Sequence, residues 1–542
     1  MRGTKLIFIL SFLLGICSSV QADRGRNIFN QKCKNCHGNN GEGIAPAIPP
    51  LAKSDWLKNN REGSLKAVLE GLTGKITVNS KEYNAVMAMI PLKDDEVADV
   101  INYVRKSLNG LAGDVTPEEV AKVRTTTKYP TYVKQVAAAY NIGVPKAPDG
   151  WKIELKAELD FNPTRILNFN ETELLILSRS GDIYHLDLIT GKKKLALAAG
   201  DYLQFDKPNN GMTQGFALDS QRRLYVTSGY HDDEAKPHDI SRAWVYRSAP
   251  IPDKLTGSLP KPKPWFKANL PAGVGPYNHG LSCIGEGPDG WIYVSSGSRT
   301  NAGEPGTSDR RSKIGEHPLT ACMWRLRDDG NGGVDFQIFA RGLRNPYGFC
   351  WDNKGNLFAT ENGPDKDLCA ELNIIKENNH YGFPHKFSNQ QNPHDFIPPF
   401  NPNYEFTQPL INLGPAGITA LEGEEKPLAS FTAHCVPTGI VYLDEKFPAG
   451  WKDSFLVCRF GGFWRINGIE TGFDILKVKR AEGREDAITA HTVISKVARP
   501  IDIKTTVING KPTVIIAEFC RGITMENGWG HPGRILVMYP EK

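Results

Sequence analysis

Residues 33–37, Cys33-Lys34-Asn35-Cys36-His37, place two thiols three positions apart with an imidazole directly after the second. One chemistry suits that spacing. Two cysteines can reach the two vinyl groups of a single porphyrin, and the next residue then rises beneath its iron. A zinc site would need more cysteine or histidine nearby, and the next such residue is His185. Cys33, Cys36 and His37 therefore predict one covalent haem c. The iron's remaining position calls for a soft ligand, and "YNAVMAMIPLKDDEVADVINYVRKSLNG" offers two thioethers, Met87 and Met89. Behind them Val97, Val100, Ile101 and Val104 recur at helical spacing.

This arrangement resembles the small class I cytochromes c, where a methionine in a loop before the last helix faces the iron. The resemblance implies Met87 as the ligand, with Met89 the alternative. A Met/His pair raises the haem potential and suits electron transfer over oxygen chemistry.

The segments around this domain set its context. Arg2 and Lys5, the apolar run Leu6–Ile16 and the small-residue end Val20-Gln21-Ala22 read as a secretory signal peptide over 1–22. Eleven apolar residues fall short of the ~20 a spanning helix needs, so we expect a periplasmic or secreted protein with no transmembrane segment. Removing Met1–Ala22 takes away two cations and no acid, which lowers the net charge from +5 to +3. Charges of both signs are interspersed, and no basic run supports a nucleic-acid partner. Of the ten cysteines, one leaves with the signal and two hold haem. The odd remainder of seven keeps at least one thiol out of internal pairing. The cytochrome domain is expected over 23–112. Thr116-Pro117-Glu118-Glu119 signals a helix start with an N-cap and a capping box, opening a helical tether over 113–150 that runs through "EEVAKVRTTTK".

From residue 151 the helical period gives way to short β-branched runs bounded by Gly, Asp, Asn and Pro. One phrase recurs, a polar turn followed by a strand: "DSQRRLYVTSG", "GPDGWIYVSSG" and "DNKGNLFATENG". Equivalent positions Leu224, Ile292 and Leu357 are spaced by 68 and 65 residues, with weaker copies around Leu174, Leu456 and Ile515. Six phases predict a six-bladed β-propeller over 151–542. The fold class is thus multidomain, an all-α cytochrome c domain followed by an all-β propeller. A Pro- and Asn-rich insertion near 380–430 separates the fourth and fifth phases.

Three stretches carry a second resemblance: "GPYNHGLSCIGEGPDGWIYVSSGSRTNAG" (275–303), "GLRNPYGFCWDNKGNLFATENGPDKDLCAELNIIKENNHYGFP" (342–384), and "FPAGWKDSFLVCRFGGFWRI" with "ARPIDI" (447–466, 498–503). Together they resemble the soluble quinoprotein glucose/sorbosone dehydrogenases, propellers that hold pyrroloquinoline quinone (PQQ). A cytochrome fused ahead of such a domain is similar to quinohaemoprotein dehydrogenases. The resemblance implies His279 as the base that takes a substrate hydroxyl proton. It implies Arg344 and Asn345 at the quinone oxygens, with Arg344 stabilising developing negative charge. Arg499, Arg459, His434 and Asn362 are further implied cofactor residues, guanidinium suiting the cofactor's carboxylates. Gly363 and Pro364 are implied to offer carbonyls to Ca²⁺. The departures are specific. Asn362 and Asn209 stand where the glucose-oxidising branch has glutamine, two extra residues precede Glu371, and "SGSRTNAG" is closer to the sorbosone-type branch. The implied partners are a sugar or aldehyde substrate and an external acceptor, whether cytochrome, copper protein or quinone pool. A calcium-dependent lactonase and a non-enzymatic propeller module are the alternatives, because the fold alone does not specify function.

Overall fold

The computed structural model describes residues 24–541 except 31, 45–47, 73, 85–86, 88, 91, 113, 128–142, 205–210, 233–234, 236–238, 274–278, 306–314, 365–367, 389, 392–402, 416–428, 463–470 and 521–531. The expected signal peptide and Asn209 lie outside these residues. Near residue 141 the chain divides into two compact units.

The first unit is helical. Asp94–Asn109 forms because its apolar residues repeat on one face, and three acids in its first turn complement the helix dipole. Gly110, at φ 64°, ends it in the left-handed conformation that a glycine adopts without a Cβ penalty. Val97, Val100, Ile101 and Val104 pack with Phe29, Leu65, Val68 and Leu69 in one apolar cluster that also includes Cys33. The helix begun at Thr116 behaves differently from the expected tether. It spans Pro117–Arg124 and stops there, because Thr125, Thr126 and Thr127 turn their hydroxyls back onto the carbonyls of Lys122, Val123 and Arg124. Its Val120, and Val115 just ahead of it, pack into the cytochrome core. Arg124 Nε donates to Asp94 at 2.6 Å, which ties it to the long helix.

Among the described residues the second unit contains six blade sheets, antiparallel except where the short strand Ile411–Asn412 runs parallel to Ala487–Ser495, and a separate two-stranded pair, Lys386–Phe387 with Gln390–Gln391. The positions matched by periodicity, Leu174, Leu224, Ile292, Leu357, Leu456 and Ile515, all fall on the second strand of a sheet. Innermost strands Pro163–Asn168, Gly211–Leu218, Leu281–Glu286, Pro346–Trp351, Pro437–Leu443 and Pro500–Ile508 each neighbour the next, and the last neighbours the first. They are the inner edges of blades one to six. The ring is closed by exchange, for Trp151–Glu158 is the outermost strand of the sheet that holds the C-terminal strand Arg534–Pro540. Sheet faces bury one another in the clusters between blades. At the axis Arg165 of blade one donates to the carbonyls of Ser282 (2.9 Å) and Tyr347, and its guanidinium lies 4.3 Å from the Tyr347 ring centroid. One cation thus joins blades one, three and four. Among the described residues no helix is long and apolar enough to cross a membrane.

Candidate active site

In an antiparallel pair, the first residue of one strand faces the last residue of its partner. The innermost and second strands pair in this way at Leu281 with Ser296, Pro346 with Glu361, Pro437 with Arg459, and Pro500 with Glu518. Asn345 and Arg499 directly precede innermost strands and His279 stands two residues before one, while Asn362 and Arg459 end or follow second strands. The topology therefore gathers them at one end of blades three to six. Proline opens three of these innermost strands, a position where its missing N–H costs no ladder bond.

Blades three and four hold the densest cluster. Gly297 sits between two candidate residues, since a Cβ there would lie 2.5 Å from His279 Cβ and 3.0 Å from Asn345 Oδ1. His279 Nδ1 is 3.0 Å from Ser298 Oγ and 3.2 Å from the Ser298 carbonyl. Burial, then the neighbouring Arg344 guanidinium, pushes the imidazole down to about 3, against the pull of the Ser298 carbonyl. It is therefore neutral across the physiological range. Arg344 is 3% exposed. Its Nε and a terminal nitrogen donate to the backbone and side-chain oxygens of Asn301 (2.7 and 2.8 Å), and its other terminal nitrogen to the Asn362 carbonyl (3.0 Å). Asn301 is a residue that motif reading missed; the signal was its place in "SGSRTNAG".

Behind Arg344 lies a buried carboxylate pair, also missed. Glu361 and Glu371 face each other across neighbouring strands, and Asn373 Nδ2 donates to both at 3.0 and 2.9 Å. The Arg344 N–H donates to Glu361, and the Ser388 N–H to Glu371 at 2.5 Å. Burial raises both carboxyls above the ordinary range, and their mutual repulsion adds to it at Glu361.

The side formed by blades five and six is built differently. Arg459 makes a bidentate ion pair with Asp474, at 2.8 and 2.5 Å, so its fork is engaged within its own blade. Arg499 lies between the Phe460 and Phe473 rings, 5.0 and 4.9 Å from their centroids, and donates to the Gly461 carbonyl at 3.0 Å. His434, Val436 and Arg499 all have positive φ (57°, 52° and 47°). Such backbone costs free energy and persists only where the surroundings over-determine it. His434 is half-buried on a turn beside Cys435, whose carbonyl accepts from Gly461.

The donor set can be tested against the implied groups. Asn345 Oδ1 and Asn362 Oδ1 are buried and have no partner among the described residues. Buried amides without partners are costly. A planar acid with ring N–H and carbonyl groups would satisfy them in either amide orientation, so these residues fit PQQ. At Gly363 a Cβ would meet the Leu368 carbonyl oxygen at 2.7 Å and the Cys369 carbonyl oxygen at 3.4 Å. Glycine thus permits main-chain oxygens to crowd together, as a hard cation requires.

In the first unit, His37 is buried and its Nδ1 lies 3.0 Å from the Pro49 carbonyl. A carbonyl only accepts, so Nδ1 carries the proton and Nε2 is left for iron. Met87 exchanges two backbone hydrogen bonds with Leu72 and packs on the cluster that includes Cys33, whereas Met89 lies outside that cluster. The residues present fit haem c.

Comparison with known proteins agrees with both halves. A cytochrome c family model matches residues 22–107, and the Glucose / Sorbosone dehydrogenase model matches 162–463. Cytochrome c-552 of Thermus thermophilus is 38% identical over 144 residues, 24% of this chain and 93% of that protein. Quinoprotein glucose dehydrogenase B of Acinetobacter calcoaceticus is 23% identical over 228 residues, 38% of this chain and 46% of that one. Among solved structures, the PQQ-bound aldose sugar dehydrogenase of Streptomyces coelicolor aligns with a TM-score of 0.45 and 20% identity, covering 73% of this chain and 99% of that one. With more than half of its length matched by the one family model and an N-terminal domain matched by the other, the chain belongs to the glucose/sorbosone dehydrogenase family and carries a cytochrome c domain ahead of its propeller.

Proposed function

We propose that this protein is an exported quinohaemoprotein dehydrogenase that oxidises an aldose or a related aldehyde or alcohol. The observation that carries the reading is the meeting of His279 and Asn345 across Gly297, with the Arg344 guanidinium close enough to act on the imidazole, at one mouth of the propeller. PQQ, when bound, supplies the two-electron acceptor, and haem c supplies one-electron transfer to an external acceptor.

The chain's own residues perform the rest. His279, neutral at working pH, takes the hydroxyl proton of the substrate. Arg344, fixed by Asn301 and Asn362, presents positive charge where negative charge develops. Asn345 and Asn362 orient the cofactor through their buried, unpartnered amide oxygens. Arg499 and His434 serve its carboxylate side. Gly363 and Pro364 would offer carbonyls to Ca²⁺, which would supply Lewis acidity. Cys33 and Cys36 would attach haem, and His37 and Met87 would bind its iron. The "SGSRTNAG" loop supplies Asn301 to Arg344.

The test is an anaerobic spectrum of the full-length haem protein loaded with PQQ and Ca²⁺ while aldoses, aldehydes and alcohols are added singly. Reduction of its own ferric haem, absent without PQQ, is the expected result. A folded, PQQ-loaded protein whose haem stays ferric with every class would overturn the proposal.

A further inference from the structure

Ser298 occupies an unusual place, since three of its groups serve the two residues assigned to chemistry. Its N–H donates to the Arg344 carbonyl at 2.6 Å, and its carbonyl accepts from the His279 N–H at 3.0 Å. Its hydroxyl donates to the Thr300 carbonyl at 2.8 Å while lying 3.0 Å from His279 Nδ1. A hydroxyl has one hydrogen. With that hydrogen on Thr300, Ser298 Oγ can only accept from the imidazole. The Ser298 carbonyl, 3.2 Å from the same nitrogen, can also only accept.

We infer that Ser298 is the positioning residue of the base, holding His279 as the neutral Nδ1–H tautomer so that Nε2 keeps its lone pair for the substrate proton. The inference rests on the reading of His279 given above and adds a neutral acceptor as the base's partner. A carboxylate at this place would favour the imidazolium. Here the charged groups that act on the ring are Arg344 and Arg299, both cationic, and each opposes protonation. The carboxylates of this loop are occupied elsewhere, Glu316 by the N–H groups of Arg299 and Thr300 and by the Thr320 hydroxyl, and Glu304 by the N–H groups of Asn301 and Ala302. The loop therefore keeps the base uncharged, and it is built for proton acceptance at mildly acid as well as neutral pH.

The experiment is a histidine-selective ¹⁵N spectrum of the intact, ascorbate-reduced haem protein without PQQ, with His279 assigned by its loss in His279→Gln. A protonated Nδ1 and bare Nε2 persisting from about pH 8 to pH 5 is expected. Ser298→Asp should move the ring's titration upward by a pH unit or more, and with it the acid limb of kcat/KM. Ser298→Ala removes one of the two acceptors and leaves the main-chain carbonyl, so it should shift the Nδ1 resonance and lower kcat a few-fold, by roughly the worth of one hydrogen bond, with little change in KM. A protonated Nε2 in the parent protein would overturn the inference, as would shifts unmoved by both substitutions. If neither variant folds, the parent spectrum decides. Because that spectrum needs no quinone, a fixed tautomer without dehydrogenase activity would defeat the proposed function and leave this inference standing.

Discussion

Blades four, five and six place charged residues at the same register, where the last residue of the second strand faces the first residue of the third. In blade five the pair is Arg459 with Asp474, and in blade six Glu518 with Arg534. In blade four it is Glu361 with Glu371. All six side chains are buried. Two blades neutralise the position internally, and the third concentrates like charge there. Blade four stabilises its pair with donors in place of a cation: Asn373 between the carboxyls, and the N–H groups of Arg344 and Ser388 at their outer oxygens. Blade four is also the blade that carries Arg344, Asn345, Asn362 and Gly363. The comparison separates arginines held by carboxylates from arginines held by carbonyls. Arg459 and Arg534 are paired with carboxylates of their own blade, whereas Arg344 and Arg499 bond to carbonyls.

Breaking the contrast at its strongest point should cost most. Arg534→Ala strands Glu518 in the core, and propeller stability measured by denaturant should fall by about 3–5 kcal/mol. A loss under ~1 kcal/mol would mean that the pair is not electrostatically matched. Next in size is Arg344→Met. Loss of a fixed cation at developing charge should lower kcat about 10²–10³-fold with a smaller change in KM, read as substrate-driven haem reduction. An equal change in both would make Arg344 a binding residue.

Smaller, and dependent on pH, is the effect at the like-charged pair. The folded carboxyl of Glu371 is raised from its ordinary range to about 7 by burial. The native state thus holds the proton more tightly than the unfolded chain. The associated stability is present below the ordinary carboxylate range and is lost as pH rises through about 7. In cation-free protein, Glu371→Gln should flatten that decline and add on the order of 2 kcal/mol at pH 8. The smallest effect is expected from replacing both members of a matched pair. Arg459→Met with Asp474→Leu should change stability by about 1 kcal/mol or less. PQQ affinity should also hold, and a tenfold loss would return Arg459 to the cofactor's shell.

The two parts of the chain were legible to different depths. The haem motif is local, because five consecutive residues carry both attachment points and one ligand. The propeller count was legible because each blade repeats the same turn and buried strand, so Leu174 and Ile515 could be placed despite weak wording. The charged pairs were not. Glu361 and Glu371 stand ten positions apart across a polar segment, and nothing local indicates that they meet. The end of the helix at Arg124 was missed for a smaller reason, since three threonines can cap carbonyls as readily as extend a turn.

What the sequence alone determined is the chemistry available: a covalent haem, an all-β array of six repeats, and a set of imidazole, guanidinium and amide groups beside its strands. What only the tertiary structure decided is which of those groups share a chamber and which are already engaged. Residue type and period are properties of short segments, and they survive without knowledge of the fold. A partner is a property of two segments brought together, and Arg459 with Asp474 or His279 with Ser298 exist as pairs only once strands have been set in register.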